Sequence, residues 1–125
     1  MSQHILIVDD EKNIAISVDY LLRREGYKVS VAHDGEEGLR QIQNSPPDLV
    51  LLDIMMPKLN GFQVCEAVRQ DPALADVRIV MLTAKGRDAE KEKGLALGAD
   101  AYITKPFSTR ELVSRVKALL EPQAK

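Results

Sequence analysis

A chain of 125 residues with a formal net charge of -2 fits one domain with a real core and is short for two ordinary ones. With 45% apolar and 29% charged residues, it has an ordinary cytosolic balance, and nothing global argues for nucleic acid as a partner. No long uninterrupted apolar stretch occurs, and the start runs into a strand without the features of a signal peptide, so a cytoplasmic location with no membrane span is expected.

Ile5-Leu6-Ile7-Val8 is a short apolar run that reads as a buried strand, and it ends in Asp9-Asp10-Glu11. Ile14, Val18, Leu21 and Leu22 recur at helical spacing, which predicts a first helix with acids at its start and arginines at its end. Tyr27 to Val31 predicts a second strand. Glu36 to Ile42 predicts a second helix, stopped by Ser45-Pro46-Pro47. Asp48-Leu49-Val50-Leu51-Leu52-Asp53 is an apolar run closed by a carboxylate, with Met56-Pro57 and Gly61 following. It reads as a central strand buried on both faces.

Phe62, Val64, Cys65 and Val68 predict a third helix, ended by Asp71-Pro72. Cys65 is the only cysteine, which excludes an internal disulfide framework and a cysteine-based zinc site; it reads as a small, structural residue. Val77 to Leu82 predicts a fourth strand ending in Thr83-Ala84. Glu90 to Leu97 predicts a charged fourth helix, closed by Gly98. Ala101-Tyr102-Ile103 predicts a fifth strand leading into Thr104-Lys105-Pro106. Ser108 and Glu111 have the spacing of a capping box, and Leu112, Val113, Val116, Leu119 and Leu120 give a fifth helix its apolar face up to Pro122.

Strand and helix alternate five times with short connections. That pattern predicts an α/β fold, a doubly wound parallel sheet with helices on both faces and right-handed crossovers. Such sheets bind ligands beyond the carboxyl ends of their strands. Four strands deliver polar groups to that edge: Asp9 and Asp10, Asp53, Thr83 and Lys105. Each has a plain structural role open to it, as a helix cap or a surface lysine. Together, three carboxylates beside a lysine repel one another unless a cation sits among them. Magnesium suits oxygen ligands and keeps several waters. Asp9, Asp10, Asp53 and the backbone carbonyl of Met55 are the candidate ligands, with manganese as a substitute.

Neither glycine-rich phosphate loop occurs, so a nucleotide-binding domain is not expected. Carboxylates, a metal, a hydroxyl and a lysine around one aspartate suit phosphoryl transfer onto that aspartate. Asp53 is then the nucleophile, Lys105 and the metal offset charge, and Thr83 donates a hydrogen bond.

These residues resemble the response-regulator receiver domain of two-component signalling over essentially the whole chain. The likeness lies in Asp9-Asp10, in Leu51-Leu52-Asp53-Ile54-Met55-Met56-Pro57 with Gly61, in Thr83-Ala84, and in Gly98-Ala99-Asp100-Ala101-Tyr102-Ile103-Thr104-Lys105-Pro106-Phe107. The resemblance implies a flavodoxin-like sheet of order 2-1-3-4-5 and a phosphoaspartate at Asp53. The donor is then a phosphohistidine on a sensor histidine kinase or a histidine phosphotransfer protein. It also implies a cis bond before Pro106. Thr83 and Tyr102 become a switch that changes the face of the fourth helix, fifth strand and fifth helix; a half-buried edge-strand residue is the other reading of Tyr102.

The last stretch looks like receivers of winged-helix transcription factors, which dimerise through that same face. Lys91, Glu111 and Arg115 match the bridging positions. Ala101 departs from the usual acid there and leaves Arg115 without that partner. Met55 cannot orient a water as an amide side chain does, and Lys85 is long enough to cover the phosphoryl group, so slow autodephosphorylation is expected. The domain is expected over 1–121, with 122–125 a tail or the start of a linker. The chain is expected to catalyse only its own phosphorylation and dephosphorylation. The alternatives are a standalone phosphorelay or adaptor protein and a metal-dependent phosphatase with an aspartyl intermediate. The second usually needs a general acid near the nucleophile, where Met55 stands instead, and a cap domain, which is not expected here.

Overall fold

The computed structural model describes residues 3–84 and 86–120. In chain order the elements are β1 (His4–Val8), α1 (Lys12–Arg24), β2 (Lys28–Ala32), α2 (Gly35–Asn44), β3 (Leu49–Asp53), α3 (Gly61–Arg69), a short 3-10 helix (Pro72–Leu74), β4 (Arg78–Ala84), α4 (Asp88–Ala96), β5 (Ala101–Lys105) and α5 (Thr109–Leu120). The strands form one parallel sheet of order β2-β1-β3-β4-β5. Lys85 and the tail from 121 onward lie outside the described residues.

Both faces of the sheet are covered, and β3 shows why its sequence is an unbroken apolar run. Leu49 and Leu51 pack with Ala15, Val18 and Leu22 of α1 and Leu112 and Val116 of α5. Val50 and Leu52 point the other way, against Ile42 of α2 and Val64, Cys65 and Val68 of α3. All four are fully buried. Each such side chain contributes about 1.5–3 kcal/mol over remaining in water. Cys65 is a buried core residue, and its thiol lies 3.7 Å from the Leu97 carbonyl.

Helix ends follow the local chemistry. Asp34 caps α2, its carboxylate accepting the Glu37 amide at 2.8 Å. Asn60 and Gln63 form a reciprocal capping box on α3. The Ser108 hydroxyl accepts the Glu111 amide at 3.0 Å at the start of α5. The first helix departs from its expected charge pattern. Its first turn holds no acid, because the chain does not become helical until Lys12. Asp9, Asp10 and Glu11 precede it in the β1–α1 connection. Asp71-Pro72 does not simply end α3 but opens the 3-10 helix, with Asp71 capping it by accepting the Ala73 amide at 3.0 Å.

Candidate functional site

β1, β3 and β5 release their last residues at one edge of the sheet, and a cleft of about 320 Å³ lies there. Asp10, Glu11, Asp53, Ile54, Met55 and Lys105 are among the residues that line it. Asp9 is fully buried beneath it; one of its oxygens accepts the Glu11 amide at 2.9 Å and the other accepts from Lys105 Nζ at 3.1 Å. Asp53 is 7% exposed, at the end of the most buried strand. Lys105 Nζ stands 3.4 Å from Asp53 Oδ1.

The electrostatics follow from crowding. Burial first, then the Asp9 charge, push the Asp53 carboxyl up to about 7, against the pull of Lys105. Burial alone lowers the Lys105 ammonium, but the attraction of Asp53 and Asp9 and its bonds to Glu11 and Asp9 outweigh that and hold it above its ordinary value. Lys105 therefore serves several acids and cannot satisfy them all. Asp9, Asp10 and Asp53 each offer an oxygen within 4.8 Å of the others. Two buried carboxylates and one exposed one, under-neutralised and all hard oxygen donors, fit a divalent cation.

Glu11 was not singled out from the sequence. Its Oε1 accepts from Lys105 Nζ at 3.1 Å, so the lysine is shared by three carboxylates, two from the β1–α1 connection and one from β3. The available signal was its place as the third acid of a run that leaves β1. Arg87 and Glu90 also line the cleft, 3.4 Å apart, with Arg87 exposed and Glu90 half-buried.

Thr83 stands differently from the acids. It is 1% exposed, follows Leu82, and by strand alternation projects to the face shared by α2, α3 and α4. Its hydroxyl has no hydrogen-bond partner among the described residues. Tyr102 packs half-buried against the core on that same face, with Lys91 Nζ 5.0 Å from its ring centroid. Lys91 also lies 3.6 Å from Asp88, and Arg115 donates to the Tyr102 carbonyl at 3.2 Å. Glu111 is exposed on α5. Asp100 points away from Arg115, accepting from Arg69 at 2.8 Å and from the Ile79 amide at 2.7 Å. Met55 is 69% exposed at the cleft. The bond between Lys105 and Pro106 is cis.

Comparison with known proteins converges on one group. The family model for the response regulator receiver domain matches residues 5–117. The alkaline phosphatase synthesis transcriptional regulatory protein PhoP of Bacillus subtilis is 50% identical over 120 residues, covering 96% of this chain and 49% of that protein. The chain thus spans about half the length of that relative. A putative response regulator from Chloroflexus aurantiacus superposes with a TM-score of 0.92 at 41% identity, over 96% of this chain and 98% of that one. The chemotaxis protein CheY4 of Vibrio cholerae gives 0.89 at 32% identity, over 96% of this chain and all of that one (100%). Among the described residues no helix is long and apolar enough to cross a membrane.

Proposed function

Because this chain belongs to the response regulator receiver family, we propose that Asp53 accepts a phosphoryl group from a phosphohistidine donor and that this switches the face made by α4, β5 and α5. A receiver of this family typically acts on itself and is not a general enzyme. The observation that carries the reading is Lys105, held 3.4 Å from Asp53 among carboxylates that it cannot fully neutralise.

The chain's own groups divide the work. An Asp53 carboxylate oxygen forms the bond to phosphorus as the nitrogen–phosphorus bond of the donor breaks. The leaving imidazole keeps the bonding electrons and takes up a proton. Asp53 must be ionised to attack, and its raised pKa is the cost of its buried setting. Asp9, Asp10, Asp53 and the Met55 carbonyl would hold magnesium, or manganese in its place. Such a cation would supply positive charge that favours an ionised Asp53 and offsets charge on the phosphoryl group. Lys105 is free to turn from Asp53 to a phosphoryl oxygen, since both contacts are charge-assisted.

Thr83 supplies the link to output. A buried hydroxyl without a partner costs about 1–3 kcal/mol. A phosphoryl oxygen offers it an acceptor, and the move vacates space beside Tyr102 on the same face. New contacts then bias two arrangements of Tyr102, Lys91 and α4. Lys91, Glu111 and Arg115 are the candidate contacts of a homodimer through that face. The receiver unit is read over 1–121.

The 50% identity to a transcriptional regulator about twice as long supports a receiver that serves an output domain. The full-length match to a chemotaxis protein keeps a standalone relay as the second reading. The kinase or phosphotransfer partner follows from the family in both.

The test is the intact mass of wild type and Asp53→Ala after incubation with magnesium and either a small phosphoryl donor or a cognate phosphohistidine protein, with sizing chromatography alongside. One added phosphoryl group that the variant lacks supports the mechanism, and a shift to dimer supports the regulator type. No transfer from either donor would leave a binding scaffold.

A further inference from the structure

The segment from Ile54 to Asn60 joins Asp53 to α3 and carries Met55. At its root the Gly61 amide donates to the Ile54 carbonyl at 2.9 Å. From outside, the segment meets the first residue of α2. A Cβ on Gly35 would stand 1.8 Å from the Leu59 carbonyl oxygen and 2.6 Å from its carbon. These are backbone atoms, so no change of rotamer relieves the contact. Lys58, the residue before, has a left-handed backbone at φ 70 and sends its ammonium back to α2. It lies 3.8 Å from Asp34 Oδ2 and 3.9 Å from Glu36 Oε1. Asp34 is itself fixed, because its other oxygen caps α2. Met56 and Leu59 pack on the adjoining core.

We propose that Gly35 is a positioning residue for the carboxylate site. Its missing side chain lets Leu59 rest on the end of α2, and that seat fixes the Met55 carbonyl relative to Asp53. The proposal rests on the reading of this site as one for a divalent cation and a phosphoryl group. Gly35 itself touches neither. With any side chain at 35, Leu59 and the first turn of α2 must part, since 1.8 Å lies far inside the 3.4 Å where ordinary contact begins, and α2 is held in place by its packing on the sheet. The only covalent path for that displacement toward β3 runs through Met55. Disturbing a partner that orients a metal ligand typically costs about 10- to 100-fold in affinity.

The experiment is calorimetric titration of the whole chain with magnesium, for wild type, Gly35→Ala and Gly98→Ala, with thermal unfolding of each. Gly98→Ala is the control for mere destabilisation. Its Cβ would strike the Arg69 side chain at 2.7 Å, at the opposite edge of the sheet. The expected result is magnesium affinity weakened about ten-fold or more in Gly35→Ala. Gly98→Ala should lose thermal stability and keep its affinity. A folded Gly35→Ala with wild-type affinity overturns the proposal and leaves the site reading intact. A wild type that neither binds magnesium nor takes a phosphoryl group brings down both. Should Gly35→Ala fail to fold, Lys58→Ala carries the test. Loss of a cation near acids tightens a metal site by charge alone, so weaker binding supports the seat, and unchanged or tighter binding overturns it.

Discussion

Lys105 reaches across β4 to bring its ammonium within 3.4 Å of Asp53 on β3, and the same nitrogen is bonded to Asp9 beyond β1 at 3.1 Å. Three strands separated in sequence are thus tied by one side chain, 17% exposed. Removing it leaves buried carboxylates without their cation. Lys105→Met should lower metal-free stability by about 2–4 kcal/mol, because breaking a buried pair strands the partner charge. It should also slow phosphoryl uptake at Asp53 at least about ten-fold. Urea unfolding and a mass time course measure the two effects. Unchanged stability would mean that the acids simply take up protons.

The raised Asp53 pKa has a definite sign in a pH series. The folded, metal-free chain keeps a proton up to about 7 that the unfolded chain gives up near 3.8. The unfolded state therefore gains as pH rises through that window, and the folded state is penalised most above it. Relative to Asp53→Asn, wild type should lose on the order of 2–4 kcal/mol between about pH 4 and pH 8. Saturating magnesium should remove most of that slope. Equal pH profiles for the two proteins would contradict the buried-carboxylate account.

Thr83→Val tests the unpartnered hydroxyl. Exchange of Thr for Val usually costs stability because a hydrogen bond is lost, but here none is present among the described residues. The unphosphorylated variant should be as stable as wild type or more stable by about 1 kcal/mol. It should still accept a phosphoryl group while amide exchange around Tyr102 no longer changes on phosphorylation. A destabilised variant would show that water or an alternative rotamer satisfies the hydroxyl.

Gly98 closes α4 with φ 109, and its carbonyl accepts from Arg69 Nε at 2.8 Å. Gly98→Ala combines a backbone penalty with a clash against Arg69, so thermal unfolding should show a loss of about 1–3 kcal/mol. A neutral result would require the Arg69 side chain to move off Gly98 without cost.

Met55 presents an exposed thioether at the cleft and has no group that strongly orients a water. The phosphoryl group on Asp53 should persist for minutes or longer after the donor is removed, and Met55→Asn should shorten its life. Loss within seconds in wild type, followed by intact mass, would sink this expectation. Lys85, the other residue invoked for slow turnover, lies outside the described residues.

Much of this was legible in the chain. Alternating apolar runs and helical spacings predicted the five strands and five helices, because burial on two faces leaves β3 no polar position before Asp53. The acids after β1, the carboxylate that closes β3 and the lysine that closes β5 could be assigned to one edge, because parallel strands all end there. The 3-10 helix at Pro72–Leu74 was not legible, since three residues give no periodicity.

The sequence by itself thus determined the layer order, the polar edge and the family, all of which follow from patterns local in the chain. What only the tertiary structure decided are relations between distant segments. Glu11 joins the site because Lys105, 94 positions away, reaches it. Thr83 is buried, its hydroxyl without a partner among the described residues, because strand alternation turns it into the core face on which Tyr102 also packs. Gly35 meets Leu59 because α2 begins against the chain that leaves β3. No spacing encodes such contacts. They arise when two layers pack on one sheet, leaving no room for a side chain at one place and burying a hydroxyl at another.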